Sequence, residues 1–222
     1  MINFSDFSAV IFDMDGVIVD NQWYHLNAWK IFCKKHGLAF DESTFRANYF
    51  GKSNHEIICA LYGGDFSLET TLKLGNEKEI IYQQNYISAI KPLPGLVKLL
   101  EDIKRARKPA AIASSAPIIN IDFVLDSLRI REYFDKIVDV SMVKNSKPNP
   151  EIYLKAASLL NVPPQECLVF EDSHSGINAA LAAGMAVIAV ATTHSKEELS
   201  YELPKINNFE ELYKEPQKVK ES

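Results

Sequence analysis

Short runs of apolar residues recur along this chain, and most are followed by a stretch in which apolar residues return with the period of a helix. Most of the runs are continuous rather than alternating, which is typical of strands buried on both faces of a parallel sheet. Five strands are predicted, over Ala9–Phe12, Ala110–Ser114, Lys136–Val140, Cys167–Glu171 and Ala186–Val190. Crossover helices are predicted over Leu96–Lys104, Ile118–Ser127, Glu151–Leu160 and Gly176–Ala183. The alternation predicts an α/β fold built on a doubly wound parallel sheet.

A long segment without any strand-like run separates the first two predicted strands. Its apolar residues follow a helical period over Trp23–His36, Ser53–Tyr62 and Leu68–Tyr86. We interpret the segment as an inserted helical domain that lies above the strand ends. The predicted division is a core domain of residues 1–19 and 89–222 and a helical cap domain of residues 20–88.

The composition is that of a globular protein, with 47% hydrophobic and 24% charged residues. The formal net charge is −5 and the basic residues are dispersed, so no electrostatic footprint for nucleic acid is present. The three cysteines are far apart in apolar contexts, which favours packing in a reducing compartment over disulfides or a metal cluster. No signal peptide and no apolar segment of ~18 residues is evident. We therefore expect a cytoplasmic protein that binds neither nucleic acid nor a membrane.

Two acidic side chains, Asp13 and Asp15, follow the first predicted strand in the sequence DMDGV. Two neighbouring carboxylates repel each other unless a cation compensates their charge. Carboxylates and Mg²⁺ commonly serve phosphate chemistry, so the motif predicts a Mg²⁺ site. Asp and Gly are also ordinary turn residues after a strand, and the motif taken alone leaves that alternative open.

Polar side chains follow other predicted strands as well, at the sheet edge where ligands bind in doubly wound folds. Ser114 and Ser115 come after the second strand, Lys147 follows the third, and Glu171 and Asp172 come at the end of the fourth. Each has a structural alternative. The first serine can cap the following helix, the lysine can be solvated surface, and the acidic pair can be helix N-terminal residues.

The motifs FDMDGV, IASS, SKPNP and FEDSHSG, in this order, resemble those of the haloacid dehalogenase superfamily of phosphotransferases. The resemblance covers essentially the full chain. It is strongest to the β-phosphoglucomutase and sugar-phosphate phosphatase branch, whose helical cap is inserted directly after the first motif. The resemblance implies Mg²⁺-dependent phosphoryl transfer through an aspartyl-phosphate, with a small phosphorylated metabolite as substrate.

The resemblance also implies a role for each motif residue. It makes Asp13 the nucleophile, and it makes Asp15 the general acid for the leaving alcohol and then the base for the second acceptor. It places the phosphate-binding groups at Ser114, Ser115 and Lys147. It places the ligands of Mg²⁺ at Asp13, the backbone carbonyl of Asp15, Asp172 and, through water, Glu171.

The cap residues leave two enzymes open. In the mutase pattern the cap loop reads Gly-Val-Ser-Arg and its arginine grips a distal phosphate, whereas this chain has Gly51, Lys52, Ser53 and Asn54. Asn54 therefore stands where the arginine is expected, and Lys52 is a neighbouring cation. Three polar residues of the mutase pattern are also missing after the second strand.

Two other cap residues resemble the mutases. His25 lies where they carry a histidine linked to the acid/base, and Lys78 resembles a cap lysine. Each also has a structural alternative, a satisfied helix histidine and a charge on a solvated helix face. On balance the sequence favours hydrolysis of a small phosphorylated sugar or polyol. The alternative is a β-phosphoglucomutase, which isomerises β-glucose 1-phosphate to glucose 6-phosphate, and a non-enzymatic phosphoacceptor module is a minor one.

Overall fold

The computed structural model describes residues 6–49 and 52–214, in which six strands form one parallel sheet. The strands are β1 (Ala9–Phe12), β2 (Ala110–Ala113), β3 (Lys136–Val138), β4 (Cys167–Glu171), β5 (Ala186–Val190) and β6 (Lys205–Ile206). Their order across the sheet is β3-β2-β1-β4-β5-β6, so β1 and β4 are central neighbours. The predicted α/β fold with a parallel sheet is confirmed.

Helices cover both faces of this sheet. The helices are α5 (Leu96–Arg105), α6 (Ile118–Leu128), α7 (Glu151–Leu160) and α8 (His174–Ala182). Consecutive residues of a strand point to opposite faces. Val10 and Phe12 accordingly pack with the apolar residues of α5 and α6, and Ala9 and Ile11 pack with those of α7 and α8. Burial on both faces explains why the strand sequences are continuously apolar.

Within the described residues, four helices lie between β1 and α5, and we call them the helical insert. They are α1 (Gln22–Lys35), α2 (Glu42–Tyr49), α3 (Asn54–Tyr62) and α4 (Leu68–Tyr86). Aromatic and aliphatic residues of α1, α2 and α3, including Trp29, Phe32 and Phe45, form a hydrophobic cluster separate from those of the sheet. Helix α4 contributes Tyr82 and Tyr86 to the cluster on the sheet instead. Together with Ala28 of α1, these residues pack the insert against the sheet.

The sequence-based bounds are wrong in a few places. β2 and β3 end at Ala113 and Val138, earlier than predicted, because a bend follows β2 and a 3₁₀ helix (Val140–Met142) follows β3. Helix α2 was not predicted, since the sequence ESTFRANY is rich in weak helix formers. The two-residue edge strand β6 was not predicted either, because it is too short to carry a hydrophobic pattern.

Two further expectations concern the cysteines and membrane spans. All three cysteines are free thiols, and Cys33 and Cys167 are buried, as expected for packing residues. Among residues 6–49 and 52–214, none of the helices has the length and apolar character needed to cross a membrane.

The start of α5 depends on a glycine. Gly95 has a φ of +81°, and a Cβ there would lie 2.5 Å from the nitrogen of Glu210 and 2.7 Å from the carbonyl carbon of Phe209. We expect Gly95→Ala to lower the free energy of unfolding by more than the ~1–3 kcal/mol that a left-handed non-glycine residue costs. Chemical denaturation measures the loss.

Gly63→Ala is the matched control for this prediction. Gly63 has a φ of +68°, but a Cβ there meets nothing within 4 Å. Its alanine variant therefore carries the backbone strain without the overlap. Equal losses of stability in the two variants would contradict the proposed close approach at Gly95.

Candidate active site

Three carboxylates meet where β1 and β4 end. Phe12 of β1 is paired with Phe170 of β4, and the Asp13 N–H donates to the Phe170 carbonyl at 3.0 Å. This register places Asp13 beside Glu171 and Asp172, and ligand oxygens of all three lie within 4.8 Å of one another. All three side chains are buried. The predicted convergence of strand-end acids is therefore present in the structure.

Lys147 enters this cluster from the loop between β3 and α7. Its Nζ lies 2.7 Å from Asp13 Oδ1 and 2.7 Å from Glu171 Oε1, and its side chain is only 7% exposed. It also donates to the hydroxyl of Tyr153 at 3.0 Å and to the carbonyl of Ala113 at 3.2 Å. The alternative that Lys147 is solvated surface is therefore wrong. Sequence reasoning missed Tyr153, whose hydroxyl donates to Glu171 Oε1.

One lysine facing three carboxylates leaves an excess of negative charge. The pKa of the Asp13 carboxyl is raised to about 7. Burial is the main cause, the charges of Glu171 and Asp15 act in the same direction, and Lys147 opposes them. Burial and the charges of Glu171 and Asp13 raise the pKa of Asp172 well above its ordinary value. For Glu171 burial also raises the pKa, but Lys147 and the hydrogen bonds from Ser173 and Tyr153 together lower it below its ordinary value. The oxygen ligands and the uncompensated charge both fit a divalent metal ion.

Glu171 is held in place by the start of α8. Its Oε2 accepts from the backbone N–H groups of Asp172 and Ser173, both at 2.8 Å. Ser173 caps α8 by accepting from the N–H of Gly176 at 3.0 Å. A Cβ on Gly176 would overlap the Glu171 carboxylate, so only glycine permits this approach. Glu171 and Asp172 thus lie at a helix N-terminus, as the structural alternative has it, and they also belong to the carboxylate cluster.

Asp172 has a partner that sequence reasoning missed. The Thr193 hydroxyl, which follows β5, donates to Asp172 Oδ2. The strand-end rule that identified the other residues applies equally to β5, so the sequence did contain a signal for this residue.

Ser114 lies at the same edge, buried directly after β2. Its hydroxyl accepts from the N–H of Ala116 at 3.1 Å, and its own N–H donates to the carbonyl of Val138 at 3.0 Å. The alternative that Ser114 caps α6 is wrong, because the residue preceding that helix is Pro117, without a side-chain cap. The preceding residue, Ala113, accepts from Lys147 through its carbonyl, so Ser114 lies next to a residue that contacts the cluster. Ser115 is exposed.

Asp15 lies on the more open side of the cluster and faces the helical insert. Its side chain is 35% exposed, against 10% for Asp13. Asn21, just before α1, donates to Asp15 Oδ1 at 2.6 Å, and His25 Nε2 lies 3.8 Å from Asp15 Oδ2. Asn21 also donates to the hydroxyl of Tyr82 at 2.7 Å, and the Tyr82 ring stacks on His25. Sequence reasoning missed both Asn21 and Tyr82.

The environment of Asp15 favours its ionised form. Burial raises the pKa of this carboxyl, but the facing His25 ring, the hydrogen bond from Asn21 and the charge of Lys78 lower it below its ordinary value. Asp15 is therefore poised as a proton acceptor before a ligand arrives.

Lys78 is buried in the insert and does not lie on a solvated helix face, so that alternative is wrong. Its Nζ contacts His25 Nδ1 at 2.9 Å and the Glu79 carboxylate at 3.0 and 3.1 Å. An ammonium group only donates, so Nδ1 accepts and a neutral His25 carries its proton on Nε2, toward Asp15. Sequence reasoning missed Glu79, because adjacent charges on a helix normally indicate a solvent-exposed surface.

The other predicted cap residues lie farther along the insert. Asn54 donates to Glu79 Oε1 at 2.7 Å, and Lys52 is exposed, with its Nζ 5.6 Å from the centre of the Tyr49 ring. Gly51 lies outside the described residues. A cavity of about 80 Å³ separates this part of the insert from the loop before α6. It is lined by Asn54, His55, Leu68, Thr71, Leu72, Gly75, Asn76 and Pro117.

Comparison with known proteins agrees with this geometry. The chain is 36% identical over 180 residues to a phosphorylated carbohydrates phosphatase of Thermotoga maritima, covering 80% of this chain and 82% of that protein. It is 34% identical over 192 residues to a β-phosphoglucomutase of Bacillus subtilis, with 82% of each chain covered. A solved structure of a HAD hydrolase, family IA, variant 3, from Entamoeba histolytica matches with a TM-score of 0.85 at 32% identity, covering 92% of this chain and 94% of that one.

The family pattern of haloacid dehalogenase-like hydrolases matches residues 10–190, which include all the strand-end residues described above except Thr193. Both the sequence relatives and the solved structure are aligned over most of their own length. The chain therefore belongs to the haloacid dehalogenase-like hydrolases.

Proposed function

We propose that this protein hydrolyses small phosphorylated sugars or polyols through a phosphorylated Asp13. The observation that carries the proposal is the buried Asp13 carboxylate, which contacts Lys147 and has Asp15 on its open side. The similarity to a phosphorylated carbohydrates phosphatase supports the substrate class. A non-enzymatic phosphoacceptor module does not account for membership of a hydrolase family.

In the first step an oxygen of Asp13 attacks phosphorus. The bond between phosphorus and the alcohol oxygen breaks, and its electron pair leaves with that oxygen, which takes a proton from Asp15. The incoming phosphate is a like charge beside Asp15, so it raises the pKa of this carboxyl toward the protonated form that an acid requires. Lys147 and the Ser114 hydroxyl bind the transferring phosphoryl group.

In the second step water attacks phosphorus of the aspartyl-phosphate. Asp15, now ionised, accepts a proton from this water, and the bond between phosphorus and Asp13 breaks to release inorganic phosphate and the free carboxylate. The low pKa of Asp15, held down by His25, Asn21 and Lys78, suits this role as a base.

The carboxylate cluster fits Mg²⁺, and we propose that Asp13, Asp172, the Asp15 backbone carbonyl and, through water, Glu171 hold it. When bound, Mg²⁺ neutralises the negative charge that otherwise opposes the approach of a phosphate to a carboxylate. In the protein alone three carboxylates share one lysine, and burial together with the charges of Glu171 and Asp13 raises the pKa of Asp172.

Hydrolysis is favoured over the mutase reaction by the surroundings of the cavity in the insert. A mutase must hold a second phosphate, yet no lysine or arginine lines this cavity among the described residues. Asn54 and Lys78 are both engaged by Glu79. The β-phosphoglucomutase remains the second candidate, favoured by the similarity to the Bacillus enzyme and by the contact between His25 and Lys78.

We extend the proposal to organisation and location. The separate hydrophobic cluster of the insert supports a cap domain of residues 20–88 on a core domain of residues 1–19 and 89–222. Three free thiols support a reducing, cytoplasmic location. The proposed partner is a small phosphorylated metabolite, with neither nucleic acid nor a membrane.

Asp13→Asn tests the nucleophile. We expect no phosphate release above background from a protein that stays folded, since the substitution is nearly isosteric and removes one of three clustered charges. Phosphate release and mass spectrometry of an Asp13-containing phosphopeptide in the wild type measure the effect. Asp65→Asn, at an exposed loop position, is the control and should retain activity. Wild-type hydrolysis by folded Asp13→Asn would reject Asp13 as nucleophile.

Removal of metal tests the carboxylate cluster. We expect EDTA to abolish phosphate release and added Mg²⁺ to restore it. Without any substrate, Mg²⁺ should also stabilise the fold, by about 2.7 kcal/mol at ~100 times its Kd. Thermal unfolding with and without Mg²⁺ measures this shift, which Asp172→Asn should reduce. Full activity in chelator, or no thermal shift, would argue against the metal site.

The product of a mutase assay distinguishes the two candidate enzymes. Given β-glucose 1-phosphate and a bisphosphate primer, we expect mainly inorganic phosphate, because no lysine or arginine of the described part of the chain lines the cavity to hold a distal phosphate. Product analysis by NMR measures the ratio. Efficient formation of glucose 6-phosphate would favour the mutase, and Lys52→Ala and His55→Ala would then test which side chain holds the second phosphate.

A further inference from the structure

The Glu79 carboxylate is a buried junction between three parts of the protein. The residue lies on α4 and is 2% exposed. Its Oε1 accepts from Asn54 Nδ2 of α3 at 2.7 Å, and its Oε2 accepts from Asn120 Nδ2 of α6 at 2.7 Å. Lys78 donates to both oxygens. Burial raises the pKa of Glu79, but Lys78, His25 and the two amides lower it below its ordinary value, so the group is a carboxylate.

The bond to Asn120 joins the helical insert to the sheet region. Asn120 is fully buried in the first turn of α6, the helix that follows the Ser114 loop. One turn farther along α4, Gln83 donates to Asn120 Oδ1 at 3.1 Å and to the Ile119 carbonyl at 3.2 Å. These contacts hold α4 against the start of α6. The orientation of Glu79 therefore depends on how the insert is seated on the sheet region.

Glu79 is also connected to Asp15, through Lys78 and His25. An ammonium group has three donors, and those of Lys78 meet the two Glu79 oxygens and His25 Nδ1. With its donors engaged and its Nζ 5.2 Å from the centre of the Trp29 ring, Lys78 has one well-defined position. That position orients the His25 ring, whose Nε2 faces Asp15 at 3.8 Å.

We propose that Glu79 is a positioning residue that aligns Asp15 for proton transfer to the leaving alcohol, acting through Lys78 and His25. Through Asn120 it makes this alignment conditional on the seating of the insert. The inference rests on the proposed function, because it assigns Asp15 the role of acid. Glu79 itself touches neither the substrate nor the reacting atoms.

If Glu79 positions the acid Asp15, its loss should affect substrates according to their leaving group. If Glu79 only supports the fold, its loss should affect all substrates alike. A sugar or polyol oxygen needs a proton as it leaves, whereas p-nitrophenolate is stable as an anion and needs little help from an acid. The parameter kcat/KM covers only the steps up to departure of the leaving group, so it excludes hydrolysis of the aspartyl-phosphate. A defect confined to acid catalysis therefore lowers kcat/KM for the sugar phosphate selectively.

The test compares Glu79→Gln with the wild type on a sugar monophosphate and on p-nitrophenyl phosphate. We expect kcat/KM for the sugar phosphate to fall by ~10- to 100-fold, part of the ~10²–10⁴ that acid–base catalysis contributes. The value for p-nitrophenyl phosphate should be nearly unchanged. Glu69→Gln is the matched control, since it removes an exposed carboxylate that pairs with Lys73 on the same helix. It should change neither value.

A double-mutant cycle with Asp15→Asn tests the route of the effect. If Glu79 acts through Asp15, adding Glu79→Gln to Asp15→Asn should not lower kcat/KM for the sugar phosphate further. Asn120→Ala is a second variant, for use if Glu79→Gln does not fold. It keeps the pair of Lys78 and Glu79, and it should also lower kcat/KM for the sugar phosphate but not for p-nitrophenyl phosphate.

Equal losses on both substrates, or full additivity with Asp15→Asn, would overturn the role of Glu79. Those outcomes leave the proposed function intact, because the wild type would still hydrolyse the sugar phosphate. A wild type that released no phosphate from any sugar phosphate would instead reject the proposed function itself.

Discussion

The ion pair of Lys147 with Asp13 and Glu171 is the interaction on which the site depends. Carboxylates at the ends of adjacent central strands are forced together by the sheet, whose register is fixed by backbone hydrogen bonds. Burying these charges without a partner would cost several kcal/mol each. Lys147 supplies that partner at 2.7 Å from both acids. Partial neutralisation leaves a site that is anionic alone and suited to a cation.

A second buried lysine repeats this arrangement in the helical insert. Lys78 pairs with Glu79 and contacts His25, as Lys147 pairs with acids of the sheet edge. Asp13 contacts Lys147, and Asp15 faces His25, which Lys78 contacts. The proposed reaction takes place between them, with phosphate chemistry governed by the sheet and proton transfer governed by the insert. Helix α4 contacts both regions, through Tyr82 and Tyr86 in the sheet cluster and through the bond from Asn120 to Glu79.

Residues at strand ends were predictable because parallel strands share one edge. Asp13, Lys147, Glu171 and Asp172 were identified by this rule, and the structure brings them together. Ser114, also identified by it, follows Ala113, whose carbonyl accepts from Lys147. Thr193 was missed although the rule applies to β5. Lys147 required the structure in one respect, since its sequence context alone cannot distinguish a buried cation from a surface one. Its burial follows from the loop after β3 passing over the ends of β1 and β2.

The sequence by itself determined the parallel sheet, the helical insert and the identity of the strand-end acids. Those features are encoded in local periodicity and in motif order, and both can be recognised without knowing which distant residues are in contact. The tertiary structure alone decided that Lys78 and Glu79 are buried, that Asn54 turns toward Glu79, and that Asn21 and Asn120 join the network. The physical reason is that the sequence around a polar residue on or next to a helix does not indicate which group that residue contacts. Whether it meets water or a buried carboxylate depends on which helix packs against it.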